Sequence, residues 1–326
     1  MSKTQVAIVG TGGISRAHIE PLSKMADVEL IGFCDVVLDK AKKAAEPFGA
    51  TAYEHAAEMY DVVKPDAVYI CLPPFAHGEA EIEAAKRGMP FFVEKPVSNS
   101  IETIRKVCDA VSKAGILTSV GYMNRHRRGA HRAKELLAKD QTVLALGYWV
   151  GGPGGGWWGQ KHLSGGQLVE QTTHIVDLAR FLLGDAKEVY ARATKGFVTG
   201  IDKYTNDDAS LLSIQFENGA IANITSCCAV RVGGGVGLTI HAQKTHLVFH
   251  DWAMHLRIQR EGVDGEEIPG EGNIFEIEDK RFIHAVRTGD KSEIYSPYLD
   301  GAKSAQLTIA GNESIETGQP VKIAAI

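Results

Sequence analysis

The chain has little cysteine, little proline and few aromatic residues. Its 5 cysteines in 326 residues, Cys34, Cys71, Cys108, Cys227 and Cys228, are scattered and odd in number. No C-x-x-C spacing occurs, and adjacent Cys227 and Cys228 point to opposite faces of a strand. That excludes a disulfide-stapled scaffold and reads as free, buried thiols in a reducing cytosol. No apolar run approaches the ~20 residues of a membrane span. The opening residues lead into a short strand, without the apolar core and cleavage site of a secretion signal. An excess of positive charge is also missing: 35 Lys and Arg stand against 40 Asp and Glu, for a net charge of −5. No basic field is available to hold nucleic acid or an anionic membrane. The expectation is a cytoplasmic protein with neither partner. Glycine, by contrast, is plentiful, at 35 residues against an average near ~7%.

Over the first 120 residues or so, short apolar runs alternate with helix-like patterns. Strands are read at Gln5–Val9, Val28–Cys34, Thr51–Tyr53, Ala67–Leu72, Met89–Val93 and Ile116–Val120, with helices between them. Such repeats with short connections predict a parallel, doubly wound sheet. The pattern changes near Gly121. Arg125–Lys139 reads as a basic helix with a solvated cationic face. Thr142–Val150 reads as a strand, Gly151–Gly166 as a loop and Leu168–Leu183 as one helix. From Glu188 to about Arg260 a series of strand-like runs predicts a mixed or antiparallel sheet, and two helices follow. The chain thus reads as an α/β protein. Residues 1–122 form a Rossmann dinucleotide-binding domain, and 123–326 form an α+β domain for substrate binding and oligomerisation.

The first glycines carry chemistry. Strand QVAIV runs into Gly10-Thr11-Gly12-Gly13-Ile14-Ser15 and then a helix, close to the G-x-G-x-x-G/A fingerprint with Ser15 at its third small position. Gly10 permits the tight turn, Gly12 lets a pyrophosphate approach, and the helix N-terminus offers amides and partial positive charge. Asp35 ends the second strand, where an acid bonds a ribose 2′-hydroxyl. It repels a 2′-phosphate, and Val36 and Val37 offer no cation in compensation, which favours NAD over NADP.

Two more features stand out. Lys95, in Glu94-Lys95-Pro96, follows an apolar strand, at the end of the sheet where ligands bind in such folds. Glu170, His174 and Asp177 are spaced i, i+4, i+7, on one helical face; spacing alone fits an ordinary solvent-facing stripe as well as an acid/base site. With no second His or Cys at matching spacing, no metal site is expected there. His241, His246, His250 and His255 match no zinc motif and read as strand and hairpin residues. Trp157 and Trp158 lie in the glycine-rich stretch before the helix. With the flexible Ser164-Gly165-Gly166 they make a setting suited to the lip of a site.

In order along the chain come the Gly10–Ser15 loop followed by His18, Leu72-Pro73-Pro74 with His77, Glu94-Lys95-Pro96, Gly121-Tyr122-Met123-Asn124-Arg125, and Gly165-Gly166-Gln167-Leu168 with His174 and Asp177. The set resembles the Gfo/Idh/MocA family, the glucose–fructose oxidoreductase and inositol dehydrogenase group, over essentially the whole chain. The resemblance implies an open, mostly antiparallel sheet in the second domain. It implies NAD(P)-dependent hydride transfer at a secondary alcohol of a sugar, polyol or glycoside. It places cofactor contacts on Gly10, Thr11, Gly12, Gly13, Ile14, Asp35, Leu72, Pro73, His77, Glu94, Lys95 and Met123. It makes Lys95 and His174 the catalytic pair, with Arg125, Trp157, Trp158, Glu170 and Asp177 towards substrate. Glu170 stands where the family often has Asp. A homodimer or homotetramer through the large sheet is implied. Two alternatives remain: a non-catalytic NAD-binding regulator or scaffold, and an aldose–aldose oxidoreductase with tightly bound cofactor. Retention of both Lys95 and His174 favours an enzyme.

Overall fold

The computed structural model describes residues 2–326. The chain divides into two compact units. One holds the residues up to Tyr122 together with Asn273–Ala302; the other holds Met123–Gly272 and Lys303–Ile326.

In the first unit, strands β1 (Thr4–Val9), β2 (Val28–Cys34), β3 (Thr51–Tyr53), β4 (Ala67–Ile70), β5 (Phe91–Val93) and β6 (Thr118–Val120) form one sheet in the order β3-β2-β1-β4-β5-β6. All its pairings are parallel. Helices α1 (Ser15–Lys24), α2 (Leu38–Ala45), α3 (Ala56–Val63), α4 (Glu79–Lys86) and α5 (Ile101–Ala114) make the crossovers. The short runs AVYI and FFV are buried at every position, as strands covered on both faces must be. The core joins Val6, Ile8, Phe33, Tyr69 and Phe92 to Phe282 and Ile283 of the helix Ile274–Thr288. That helix arrives from about 150 residues further along the chain and completes this core, with Phe282 set against the Phe92 and Tyr69 rings.

The second unit carries α6 (Arg128–Leu137), β7 (Thr142–Val150), α7 (Lys161–Ser164), α8 (Gly166–Glu170), α9 (Thr173–Leu183), β8 (Ala186–Thr194), β9 (Ala209–Phe216), β10 (Ile221–Cys227), β11 (Gly235–Ala242), β12 (Thr245–His250), β13 (His255–Arg260), β14 (Val263–Ile268) and β15 (Val321–Lys322). Its nine strands follow the order β14-β13-β12-β11-β7-β10-β9-β8-β15. The β7–β10 pair is parallel and the other pairings are antiparallel. The period-2 alternation in ASLLSIQF puts Leu212, Ile214 and Phe216 inside. Helix α9 covers the inner face of β7 so closely that a Cβ at Gly147 would lie 2.6 Å from Ile175 Cγ2.

Two expectations are corrected. The span Leu168–Leu183 is not one helix. The amides of Gln171 and Thr172 both reach the Gln167 carbonyl, so the hydrogen-bond ladder slips by a residue. The Thr172 side chain meets Ser226 of β10 at 2.7 Å, and α9 restarts at Thr173. The basic stretch from Arg125 is not a solvated helical face either. Arg125 and Arg127 precede α6 and are buried, because each finds oxygen partners within the fold.

All five cysteines are free thiols. Burial pushes Cys34, Cys108 and Cys228 up to about 11 and Cys71 up to about 12, which keeps them protonated at neutral pH. Among the described residues no helix is long and apolar enough to cross a membrane.

Phe282 tests the returning helix. Phe282→Ala is expected to destabilise the protein by about 3–5 kcal/mol, the range for a buried aromatic truncation. Urea unfolding of the full chain measures it; a loss below about 1 kcal/mol would remove Phe282 from the first core.

Candidate active site

In the first unit the candidate residues gather where β1 and β4 diverge, the point at which strand order reverses. Gly10 leaves β1 with φ +85, and a Cβ there would stand 2.3 Å from the Cys71 carbonyl oxygen. Only glycine fits both the dihedral and the space. Nothing lies within 4 Å of a Cβ built on Gly12 or Gly13, so the loop faces open space in front of α1. The Ser15 hydroxyl donates to the Gly12 carbonyl at 2.8 Å and closes the turn from within. Half-exposed Ile14 borders it.

Asp35 is tied to this loop. Its Oδ2 accepts the Thr11 amide at 3.0 Å and the Thr11 hydroxyl at 2.9 Å, and its Oδ1 accepts the Val37 amide at 2.9 Å. Burial would raise the carboxyl, but those hydrogen bonds and the charge of Lys40 hold it below the usual carboxylate range. An ionised acid at the tip of β2, amides at the start of α1 and an uncovered glycine turn fit a dinucleotide's ribose and pyrophosphate.

The turns after β4 and β5 are held by buried polar groups. His77 bridges the Leu72 carbonyl (Nε2, 3.0 Å) and Glu81 of α4 (Nδ1, 2.5 Å), which fixes the Leu72-Pro73 turn from behind. The Glu94 carboxylate accepts the Lys95 amide at 3.0 Å and meets His18 Nε2 at 2.9 Å; His18 Nδ1 meets Asp279 at 2.8 Å. Burial would drive the proton off His18, but the charge and hydrogen bond of Asp279 and the hydrogen bond of Glu94 outweigh it and raise its pKa. His77 and Glu94 are thereby occupied within the protein, as supports of the two turns.

In the second unit the three acid and base residues are buried, not arrayed on a solvent-facing stripe. Glu170 ends α8, and His174 and Asp177 lie on α9. His174 is 5% exposed and its ring stacks on Trp149 of β7, with centroids 5.5 Å apart and planes 20° from parallel. Trp252 meets Trp149 edge-on at 5.7 Å and is itself 50% exposed. Glu170 Oε2 accepts the Trp158 indole N–H at 2.9 Å. Trp157, beside it, is exposed.

Asp177 is 0% exposed. It takes the Arg125 guanidinium through Nε at 2.9 Å and Nη2 at 2.5 Å, and the Ser304 hydroxyl at 2.6 Å. Arg125, 2% exposed, also lies over the Phe181 ring. The pair is buried and fixes α9 one turn past His174. Arg127 holds the turn after β12 through the Trp252 and Ala253 carbonyls, at 3.0 and 2.7 Å. Met123 is buried where the second unit begins. Trp149 and Trp252 escaped the sequence reading. The alternation along β7 carries the signal for Trp149, which shares the inward face with Ala145 and Gly147.

Residues 4–122 match the family model described as the GFO/IDH/MocA oxidoreductase family with an NAD-binding Rossmann fold, and residues 142–248 match the GFO/IDH/MocA C-terminal domain. Myo-inositol 2-dehydrogenase of Thermotoga maritima is 23% identical over 98% of both chains. D-glucoside 3-dehydrogenase of Escherichia coli is 27% identical over 71% of this chain and 72% of its own. The structure of levoglucosan dehydrogenase in complex with NADH and L-sorbose superposes with a TM-score of 0.88 at 21% identity, over 100% of both chains, a likeness of fold.

Breaking the buried pair has a defined cost. Asp177→Asn removes the carboxylate charge that faces the buried Arg125 guanidinium, so a stability loss of about 3–5 kcal/mol is expected. Thermal unfolding checks it; an unchanged melting temperature would show that Arg125 finds another partner.

Proposed function

Since the chain belongs to the GFO/IDH/MocA oxidoreductase family, with its NAD-binding Rossmann fold, we propose that it is an NAD-dependent dehydrogenase of a secondary alcohol on a sugar, polyol or glycoside. The observation that carries this reading is His174, a buried imidazole stacked on Trp149 and followed one turn later by the fixed Arg125–Asp177 pair. The named relatives act on inositol and glucosides, which supports the substrate class. A bound nicotinamide would supply the hydride acceptor at its ring.

The residues then divide the rest of the work. His174 takes the hydroxyl proton as the alcohol becomes a ketone, and returns it in the reverse direction. Lys95 stabilises the negative charge that develops on that oxygen. Glu170, aimed by the Trp158 indole, accepts hydrogen bonds from substrate hydroxyls, and Trp157 and Trp252 offer ring faces to sugar C–H groups. Arg125 and Asp177 act from behind as positioning residues. Gly10, Thr11, Gly12, Gly13 and Ile14 hold the pyrophosphate, Leu72 and Pro73 shape the neighbouring turn, and Asp35 binds the adenosine ribose. An ionised Asp35 favours a 2′-hydroxyl over a 2′-phosphate, hence NAD over NADP.

Leu146, Tyr148, Leu211 and Ile221 are exposed on the outer face of the nine-stranded sheet, which supports its burial against a second copy in a dimer or tetramer. Protonated, unpaired thiols fit a cytoplasmic setting.

His174→Ala is expected to lower kcat by about 10²–10⁴, with NADH affinity unchanged. Lys95→Ala is expected to lower kcat and kcat/KM together. Steady-state oxidation of an inositol, sugar and glycoside panel, with NADH titration by fluorescence, measures both. Full turnover by either variant would withdraw that residue's role. Asp35→Ala is expected to shift the kcat/KM ratio towards NADP by about tenfold or more, since a like-charge clash is relieved; an unmoved ratio would place cofactor choice elsewhere.

A further inference from the structure

At the β12–β13 end of the sheet's outer face, separated by β11 from the apolar patch on β7, β9 and β10, stands a group that the dehydrogenase reading does not use. His250 ends β12 and His255 opens β13, and the two are directly opposed in register. Their rings stack at 5.5 Å and 20°. Between them stands Asp251, the first residue of the turn, with φ +57. Its Oδ1 accepts the Ala253 amide at 2.9 Å. That orients the other oxygen, Oδ2, which meets His255 Nδ1 at 2.7 Å and His250 Nδ1 at 3.2 Å. The three atoms lie within 4.8 Å of one another, and all three side chains are partly exposed.

We propose that His250, Asp251 and His255 form a divalent transition-metal site, zinc foremost, that clasps the β12–β13 hairpin. Two imidazoles and one carboxylate suit zinc, nickel or copper, whereas magnesium and calcium want more oxygen donors. Donors about 2.0–2.1 Å from a tetrahedral zinc lie about 3.3 Å apart. The His250–Asp251 separation already matches that. The His255–Asp251 separation opens by about half an ångström as its hydrogen bond gives way to the ion. In the metal-bound form each ring gives its Nδ1 lone pair to the ion and carries its proton on Nε2. Three protein ligands leave a position for water.

The turn is prepared for this. Asp251 is oriented by the Ala253 amide, and Arg127 holds the Trp252 and Ala253 carbonyls from inside. Support of this kind around the ligands is what raises metal affinity. The sequence hides the group because its ligands are spaced i, i+1 and i+5. Only the hairpin register brings the first and last together. Trp252 leans on Trp149 from the same turn, so an ion here stiffens the outer edge of the aromatic stack on His174. The assignment is independent of the reaction catalysed.

Calorimetric titration of the metal-free, tag-free full chain with zinc chloride tests it, with cobalt absorption as a second readout. The expected result is one zinc per chain and a cobalt spectrum of low coordination number. H255A and D251N are each expected to weaken binding at least about tenfold. Asn tolerates the left-handed backbone at 251, and both variants should melt as the parent does. H174A should bind zinc normally. Absence of saturable binding, binding undiminished in H255A and H250A, or loss confined to H241A would overturn the proposal; the last would assign the ion to the neighbouring His241–His246 pair.

Discussion

Asp177 lies out of reach of water, and a carboxylate so placed has to meet cations and donors inside the protein. Arg125 supplies two hydrogen bonds to it, and Ser304 a third while accepting one from Arg180. These partners come from a segment before α6, from α9 itself and from the chain's final long helix, so satisfying one charge brings together three distant stretches of the second unit. His174 sits on the same helix one turn earlier, with Trp149 against its ring. Its position follows from where the ion pair fixes α9 and from how closely α9 can lie on β7, which Gly147 decides.

The first unit solves a related problem with different groups. Glu94, His18 and Asp279 are all buried, and one imidazole between two carboxylates balances part of their charge. The benefit falls on the turn after β5, because Glu94 also accepts the Lys95 amide. His77 plays the same part for the turn after β4. In each case a residue that by type invites a ligand-binding role instead holds backbone that faces the ligand. The glycine loop needs no such prop, since its shape is set by Gly10 against Cys71 and by Thr11 on Asp35.

Much of this was readable from residue order. Six short apolar strands with helices between them dictate the parallel sheet. The glycine turn and Asp35 are local signals twenty-odd residues apart, and both stand where the pattern puts them. The second unit was readable as a strand series and not in detail. A one-residue slip at Gln171 and Thr172 depends on Thr172 meeting Ser226, a long-range contact with no local signature. The burial of Arg125 and Arg127 depends on oxygens as far away as Trp252 and Ala253. Local charge patterning treats such arginines as solvent-facing, and the partners that draw them inward lie far along the chain. Trp149 was concealed for a simpler reason: strand alternation states which face a residue takes and is silent about what meets it there.

The helix from Ile274 to Thr288 carries a consequence for how the molecule is made. Asp279, Phe282 and Ile283 leave the ribosome long after the strands they cover. Until they arrive, the nascent nucleotide-binding sheet has an unfilled apolar side, and His18 lacks its Asp279 partner. Neither unit has all its residues until late in translation: the first waits for Asn273–Ala302, and the second for Lys303–Ile326. A ribosome pausing between the two halves would expose a sticky, half-closed sheet to the cell's chaperones.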